Sequence, residues 1–144
     1  MQNVNFSHNM NLKHVDISGC PLLYVFEACL SGLDSLDVSH NPNIDMINME
    51  DCHMKFMDAS AVTNLNYMSL SNNELEWVNV AGLDNLEGLK VDGNRLKEVD
   101  ISKCRHLKLL CCQNNPQLEV IYMAKGQVLN ILEKDDHTRI VIVE

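Results

Sequence analysis

The chain has 144 residues, a formal charge of −9 and a pI near 5.0. So acidic a chain lacks the basic stripe that phosphate contacts need, which argues against nucleic acid and against charge-driven docking on an anionic membrane. No apolar run nears the roughly 20 residues of a spanning helix, and the length suits one domain with a real core.

Taken in chain order, one pattern recurs from the first residue. First-type half-units start at Met1, Leu22, Ile44, Leu65, Leu86, Leu107 and Val128. Second-type half-units start at Leu12, Leu33, Met54, Leu75, Leu96 and Leu118. Successive first-type starts lie 21, 22, 21, 21, 21 and 21 residues apart, a register chance does not hold for so long. The clearest first-type copy is LEGLKVDGNRL, Leu86 to Leu96. The second type reads LDSLDVSHN from Leu33 and LKEVDISKC from Leu96. Residues 1–127 thus form six tandem coils of 21–22 residues, and residues 128–144 form a capping coil and strand. The pattern fades after Ile131. It passes through Lys134, Asp135 and Asp136, and TRIVIVE (138–144) alternates like a closing strand. At the other end the repeat begins at Met1 with no capping sequence, which reads as a fragment or a mature domain.

In each half-unit the first, fourth and sixth positions are apolar. The fourth and sixth point the same way, as on a short strand. No window shows helical periodicity. One coil cannot bury its own apolar face, so coils must stack, about 4.8 Å apart.

The ninth first-type positions include Asn9, Asn73, Asn94 and Asn115. An amide at a corner can donate to and accept from backbone groups that the turn leaves unpaired. This predicts a structural asparagine ladder. Leu30 and Cys52 interrupt the row, which predicts irregular turns at residues 28–32 and 50–54.

The motif L-x-x-L-x-L-x-x-N-x-L resembles the leucine-rich repeat. A coil whose second half reads L-x-x-L-D-V-S-x-C resembles the variety found in internalin-like bacterial surface proteins. The resemblance implies a right-handed leucine-rich-repeat solenoid of the horseshoe class, with short parallel strands, turns and very little helix. It also implies that first-type strands form a concave sheet whose outward side chains bind, and that cysteine suits inward positions.

On that register Tyr24, Phe26, Met46 and Tyr67 form one concave patch, joined by Asn48, Ser69, Lys90 and Asp92. A contiguous aromatic cluster marks either a contact site or packing within the sheet face. Phe56 and Trp77 form a smaller pair on the second-type strands. Asp16, Asp37, Asp58, Asn79 and Asp100 line that side, with Ser18, Ser39, Ser60 and Ser102 placed for local turn bonds.

The cysteines Cys20, Cys29, Cys52, Cys104, Cys111 and Cys112 contain no C-x-x-C pair. Cys20 and Cys104 share a corner four coils apart, about 19 Å by the strand spacing, so they cannot bridge. Six free thiols are expected, with only Cys29 and Cys111 outward or peripheral. The histidines fall in turns. No nucleophile elbow, phosphate loop, H-E-x-x-H or calcium loop occurs. The sequence therefore points to no enzyme, no cofactor and no metal. It fits a monomeric recognition module for a protein or glycan, at the cell surface or secreted by the family resemblance. An intracellular scaffold or effector domain, or the recognition arm of a larger enzyme, are the alternatives.

Overall fold

A computed structural model describes residues 2–144. Seven short strands form one parallel sheet: β1 (Asn3–Asn5), β2 (Val25–Glu27), β3 (Met46–Asn48), β5 (Tyr67–Ser69), β7 (Gly88–Lys90), β9 (Leu109–Cys111) and β11 (Ile131–Glu133). On the opposite side β4 (Phe56–Asp58) pairs with β6 (Trp77–Asn79). There β8 (Glu98–Asp100), β10 (Val120–Ala124) and β12 (Arg139–Val143) form a second ladder. Every pairing is parallel, and no helix occurs among the described residues. The chain is a β-solenoid.

Its core is a thin slab between the two sides. Phe26, Ile47, Met68, Leu89 and Leu110 stack in one row and are fully buried. Leu33, Met54, Leu75, Leu96 and Leu118 stack in a facing row, also fully buried. Each coil covers its neighbour, so the core is continuous although no coil has a core alone.

The register of the second coil differs from the expected one. Asn3 pairs with Val25 and Val4 with Phe26, so this coil starts at Leu23 and not at Leu22. Leu22 is 67 % exposed and Leu23 is buried. The cause is a conserved turn geometry between coils. Leu23 N donates to Cys20 O, as Ile44 N does to Asn41 O and Leu65 N to Val62 O. The second half-unit is thus one length throughout, and two adjacent leucines offered a false start one residue early. A one-residue slip turns every following side chain to the other face. Phe26 therefore enters the core, its ring 6.0 Å from that of Phe6. The last coil shifts likewise: Val128 is 78 % exposed, and β11 aligns from a start at Leu129.

The same slip corrects the expected irregular turns. Leu30 lies one residue before the corner position, which Ser31 occupies. His8, Leu30, Asp51, Asn72, Gly93 and Asn114 all have φ between 54° and 66°. The turn is one repeated shape, left-handed at its eighth residue. Leucine is the one aliphatic side chain in that row, where L-residues other than Asn, Asp and His are most disfavoured.

The corner amides hold the turn. Asn94 Nδ2 donates to Leu70 O of the preceding coil at 2.9 Å and to Val91 O of its own coil at 3.0 Å. Its Oδ1 accepts from Leu75 N at 2.9 Å, again in the preceding coil. Asn73 and Asn115 repeat the arrangement through Met49 O and Met54 N, and through Val91 O and Leu96 N. In the first coil Asn9 bonds only Phe6 O and Ser7 O of its own turn. Where the row is interrupted, Cys52 Sγ donates to Ala28 O, and Ser31 Oγ lies 3.3 Å from that sulfur. The opposite corner uses the same device through Asn41, Cys104 and Gln127, which bond Ile17 O, Val80 O and Ile101 O.

Asn94→Leu removes three such bonds and strands their buried backbone partners, so it should cost about 3 kcal/mol, read as the shift in urea-unfolding free energy. Leu30→Asn relieves the left-handed strain and should raise stability by about 1 kcal/mol in the same measurement. An unchanged or lower value for Leu30→Asn would refute the strain at that turn.

Candidate functional site

The outward face of the seven-stranded sheet follows from the corrected register. Its third positions are Asn3, Val25, Met46, Tyr67, Gly88, Leu109 and Ile131. Its fifth positions are Asn5, Glu27, Asn48, Ser69, Lys90, Cys111 and Glu133. Two residues further along lie Ser7, Cys29, Glu50, Ser71, Asp92, Gln113 and Asp135. The face is therefore an apolar stripe beside two polar rows. Glu27, Glu50, Asp92, Glu133 and Asp135 give those rows their charge, and Lys90 is the cation among them.

Met46 and Tyr67 pair directly on adjacent strands and are half-buried. The Tyr67 ring lies over Gly88 on the next strand. A Cβ at Gly88 would stand 2.7 Å from Tyr67 Cδ2, so the glycine makes room for the aromatic. The polar rows are tied across strands. Asn5 Nδ2 donates to Glu27 Oε2 at 3.1 Å, and Ser69 Oγ donates to Glu50 Oε1 at 2.5 Å. Ser71 Oγ donates to Asp92 Oδ1 at 2.6 Å, and Gln113 Nε2 to Glu133 Oε2 at 2.9 Å. Lys90 Nζ stands 4.0 Å from Glu50 Oε1. Burial works against the Lys90 charge, but Tyr67, Glu50 and Asp92 outweigh it and raise its pKa.

Of the expected concave residues, the structure brings together Met46, Asn48, Tyr67, Lys90 and Asp92. Asn48 Oδ1 accepts from Cys29 Sγ at 3.1 Å. Ser69 points to this face but is fully buried beneath its neighbours. Phe26 is absent from the face, for it lies in the core. Tyr24 is 49 % exposed, but it sits at the second position of its coil, on the turn edge beside Asn43 and Asp45. Val25 and Glu27 take the places assigned to Tyr24 and Phe26. The constant length of the second half-unit was the signal that could have found them.

On the opposite side Phe56 and Trp77 pair in register and are 56 % and 46 % exposed. The aspartates there cap their own turns. Asp16, Asp37 and Asp58 each accept from the backbone N–H of the serine two residues on, at 2.9–3.0 Å. Hydrogen bonds from Ser18, Ser39 and Ser60 hold these carboxyls below the ordinary aspartate range.

All six cysteines are free. Cys111 was expected outward, yet it is only 5 % exposed, covered on its own face by the neighbouring strands. Burial pushes Cys104 and Cys112 up to about 12 and Cys111 up to about 11. Burial also raises Cys29. A thiol that stays protonated is a poor nucleophile. Iodoacetamide at neutral pH should therefore label Cys20 first in the folded protein and leave Cys104, Cys111 and Cys112 unmodified. All six should react in denaturant. Rapid native labelling of Cys112, read by peptide mass spectrometry, would contradict the packing described.

With this geometry in hand, comparison with known proteins is direct. The Leucine Rich Repeat family model matches residues 11–33. The fold of this chain is that of a leucine-rich-repeat solenoid. Its fold is similar to the functional domain of InlJ from Listeria monocytogenes, a domain described as including a cysteine ladder. The two superpose with a TM-score of 0.55 at 19 % identity, covering 96 % of this chain and 42 % of that one. The chain thus spans about two fifths of that structure's length. No curated protein sequence matches the chain. Among the described residues no helix is long and apolar enough to cross a membrane.

Proposed function

We propose that this solenoid is a non-catalytic recognition module that binds a protein partner through its seven-stranded sheet face. One observation carries the reading. A stripe of half-buried apolar side chains, Val25, Met46, Tyr67 and Leu109, runs beside rows rich in carboxylate. Apolar contact supplies affinity in such a surface, and complementary charge supplies rate and orientation. The matching partner presents an apolar ridge flanked by lysine or arginine. The resemblance of the chain's repeat motif to internalin-like bacterial surface proteins supports a place at a bacterial surface or in secretion, and in this reading the solenoid acts as a monomer.

The corner cysteines Cys52 and Cys104 are structural in this reading. They bond turn carbonyls, as asparagine does in the other coils.

The test places a photo-crosslinking residue at Met46 and, separately, at Ser35 on the far side. The expected result is a discrete protein adduct from Met46 alone, diminished at least tenfold by Glu27→Lys with Asp92→Lys and weakened by salt. An adduct from Ser35 alone, or one indifferent to both charge reversals, would reject the concave reading.

A further inference from the structure

A second surface lies along the edge where each coil turns into the seven-stranded sheet. There a groove of about 620 Å³ runs across successive coils. Tyr24 stands at one end, and Asn43, Asn64 and Asn85 form one wall, spaced a coil apart. Asp45, Asn66 and Glu87 form the other. We infer that this groove binds a neutral oligosaccharide, with Tyr24 as the stacking platform and the amide rows as acceptors for its hydroxyl groups.

The chemistry of the lining selects the ligand class. Each amide NH₂ group gives one of its two hydrogens to the protein. Asn43 Nδ2 donates to Pro21 O at 3.0 Å, Asn64 Nδ2 to Asn43 Oδ1 at 3.3 Å, and Asn85 Nδ2 to Thr63 O at 3.0 Å. Asn66 Nδ2 reaches Asn85 O at 3.4 Å. Each amide is thereby held in one orientation, with the oxygens of Asn64, Asn66 and Asn85 left to accept. His106 Nδ1 donates to Asp84 O at 2.6 Å, so its Nε2 is a further acceptor when the ring is neutral. The groove thus offers oriented amide acceptors and donors together, and calls for a ligand whose groups can both donate and accept. Hydroxyl groups meet that need, and fixing the acceptors in advance lowers the entropy cost of binding.

Other classes fit less well. No lysine or arginine lines the groove, and Lys108 at its rim is held by Glu87, so no unpaired cation there recognises phosphate, sulfate or a uronic acid. Tyr24 is its only large apolar side chain, so a lipid or an apolar peptide has too little to bury against. Glu87 is already paired with Lys108 at 2.9 Å, which leaves Asp45 as the one carboxylate to draw a cation. The apolar platform extends past Tyr24, because Leu22 is 67 % exposed and lies beside it with Gln2. An aromatic ring beside a planar row of amides suits a pyranose, whose C–H face is apolar and whose edge carries hydroxyls. The period also fits. Successive coils present the same amide positions about 4.8 Å apart, close to the length of one sugar in an extended chain. Each coil then meets one sugar unit.

The test titrates the folded protein with two neutral tetrasaccharides, chitotetraose and cellotetraose. Hyaluronan tetrasaccharide serves as the anionic control and tetralysine as the cationic one. Side-chain amide NMR signals and calorimetry give the readouts. The expected result is saturable binding of at least one neutral tetrasaccharide, with shifts at Asn64, Asn66 and Asn85. Tyr24→Ala should weaken it at least tenfold, and Asp45→Asn should change it less than threefold. Both positions are on the turn edge, and an unaltered thermal melt verifies that each variant is folded. Glu27→Lys on the sheet face should leave sugar binding intact, so this outcome is independent of the partner crosslinked from Met46. The inference falls if neither neutral sugar saturates at millimolar concentration. It also falls if tetralysine alone shifts the three amides, or if Tyr24→Ala binds as the parent does.

Discussion

Everything in this molecule depends on pairing the backbone at two tight corners per coil. A flat coil turns its chain sharply, and a turn leaves N–H and C=O groups pointing into a core that holds no water. Hydrophobic stacking alone would bury those groups at a cost of about 1–3 kcal/mol each. An inward amide with two donor hydrogens and one acceptor oxygen meets three of them at once. Asn73, Asn94 and Asn115 do this with nearly superimposable geometry. The leucine rows can then pack over paired turn groups, and at the opposite corner Asn41 Oδ1 is the corner-amide oxygen left without a partner.

The corner tolerates more chemistry than the motif implies. Cysteine at 52 and 104 satisfies one carbonyl through its thiol and fills the remaining space as a small apolar group. Asn41 and Gln127 satisfy two carbonyls each on the other side. What the position demands is a donor aimed at the preceding coil. Several side chains supply one.

The repeat length, the strand faces and the corner amides were legible in the sequence because each rests on a periodic rule. In coils three to six the strand faces follow that rule, and Met46, Tyr67, Lys90 and Asp92 fall on the face the spacing assigns them. The second coil did not, for a physical reason. Leu22 and Leu23 are equally apolar, and only a hydrogen bond from Leu23 N to Cys20 O decides between them. From that single ambiguity followed the misplacement of Phe26 and the reading of Leu30 as a corner residue. The turn-edge groove left no mark in the pattern, because it gathers residues from outside the strands. Its asparagines belong to no corner ladder.

The corner bonds that join one coil to another all run one way. Each coil's amide, thiol or hydroxyl reaches back to the coil before it, from Asn41 to Ile17 at one end and from Thr138 to Leu118 at the other. A coil is therefore finished by its successor and never by itself. On a ribosome, where the chain emerges from its N-terminus, each turn stays open until the next 21 residues have appeared. Folding of this solenoid thus trails synthesis by one coil, and the coil from Leu118 is closed by the five-residue strand from Arg139 to Val143 laid along β10.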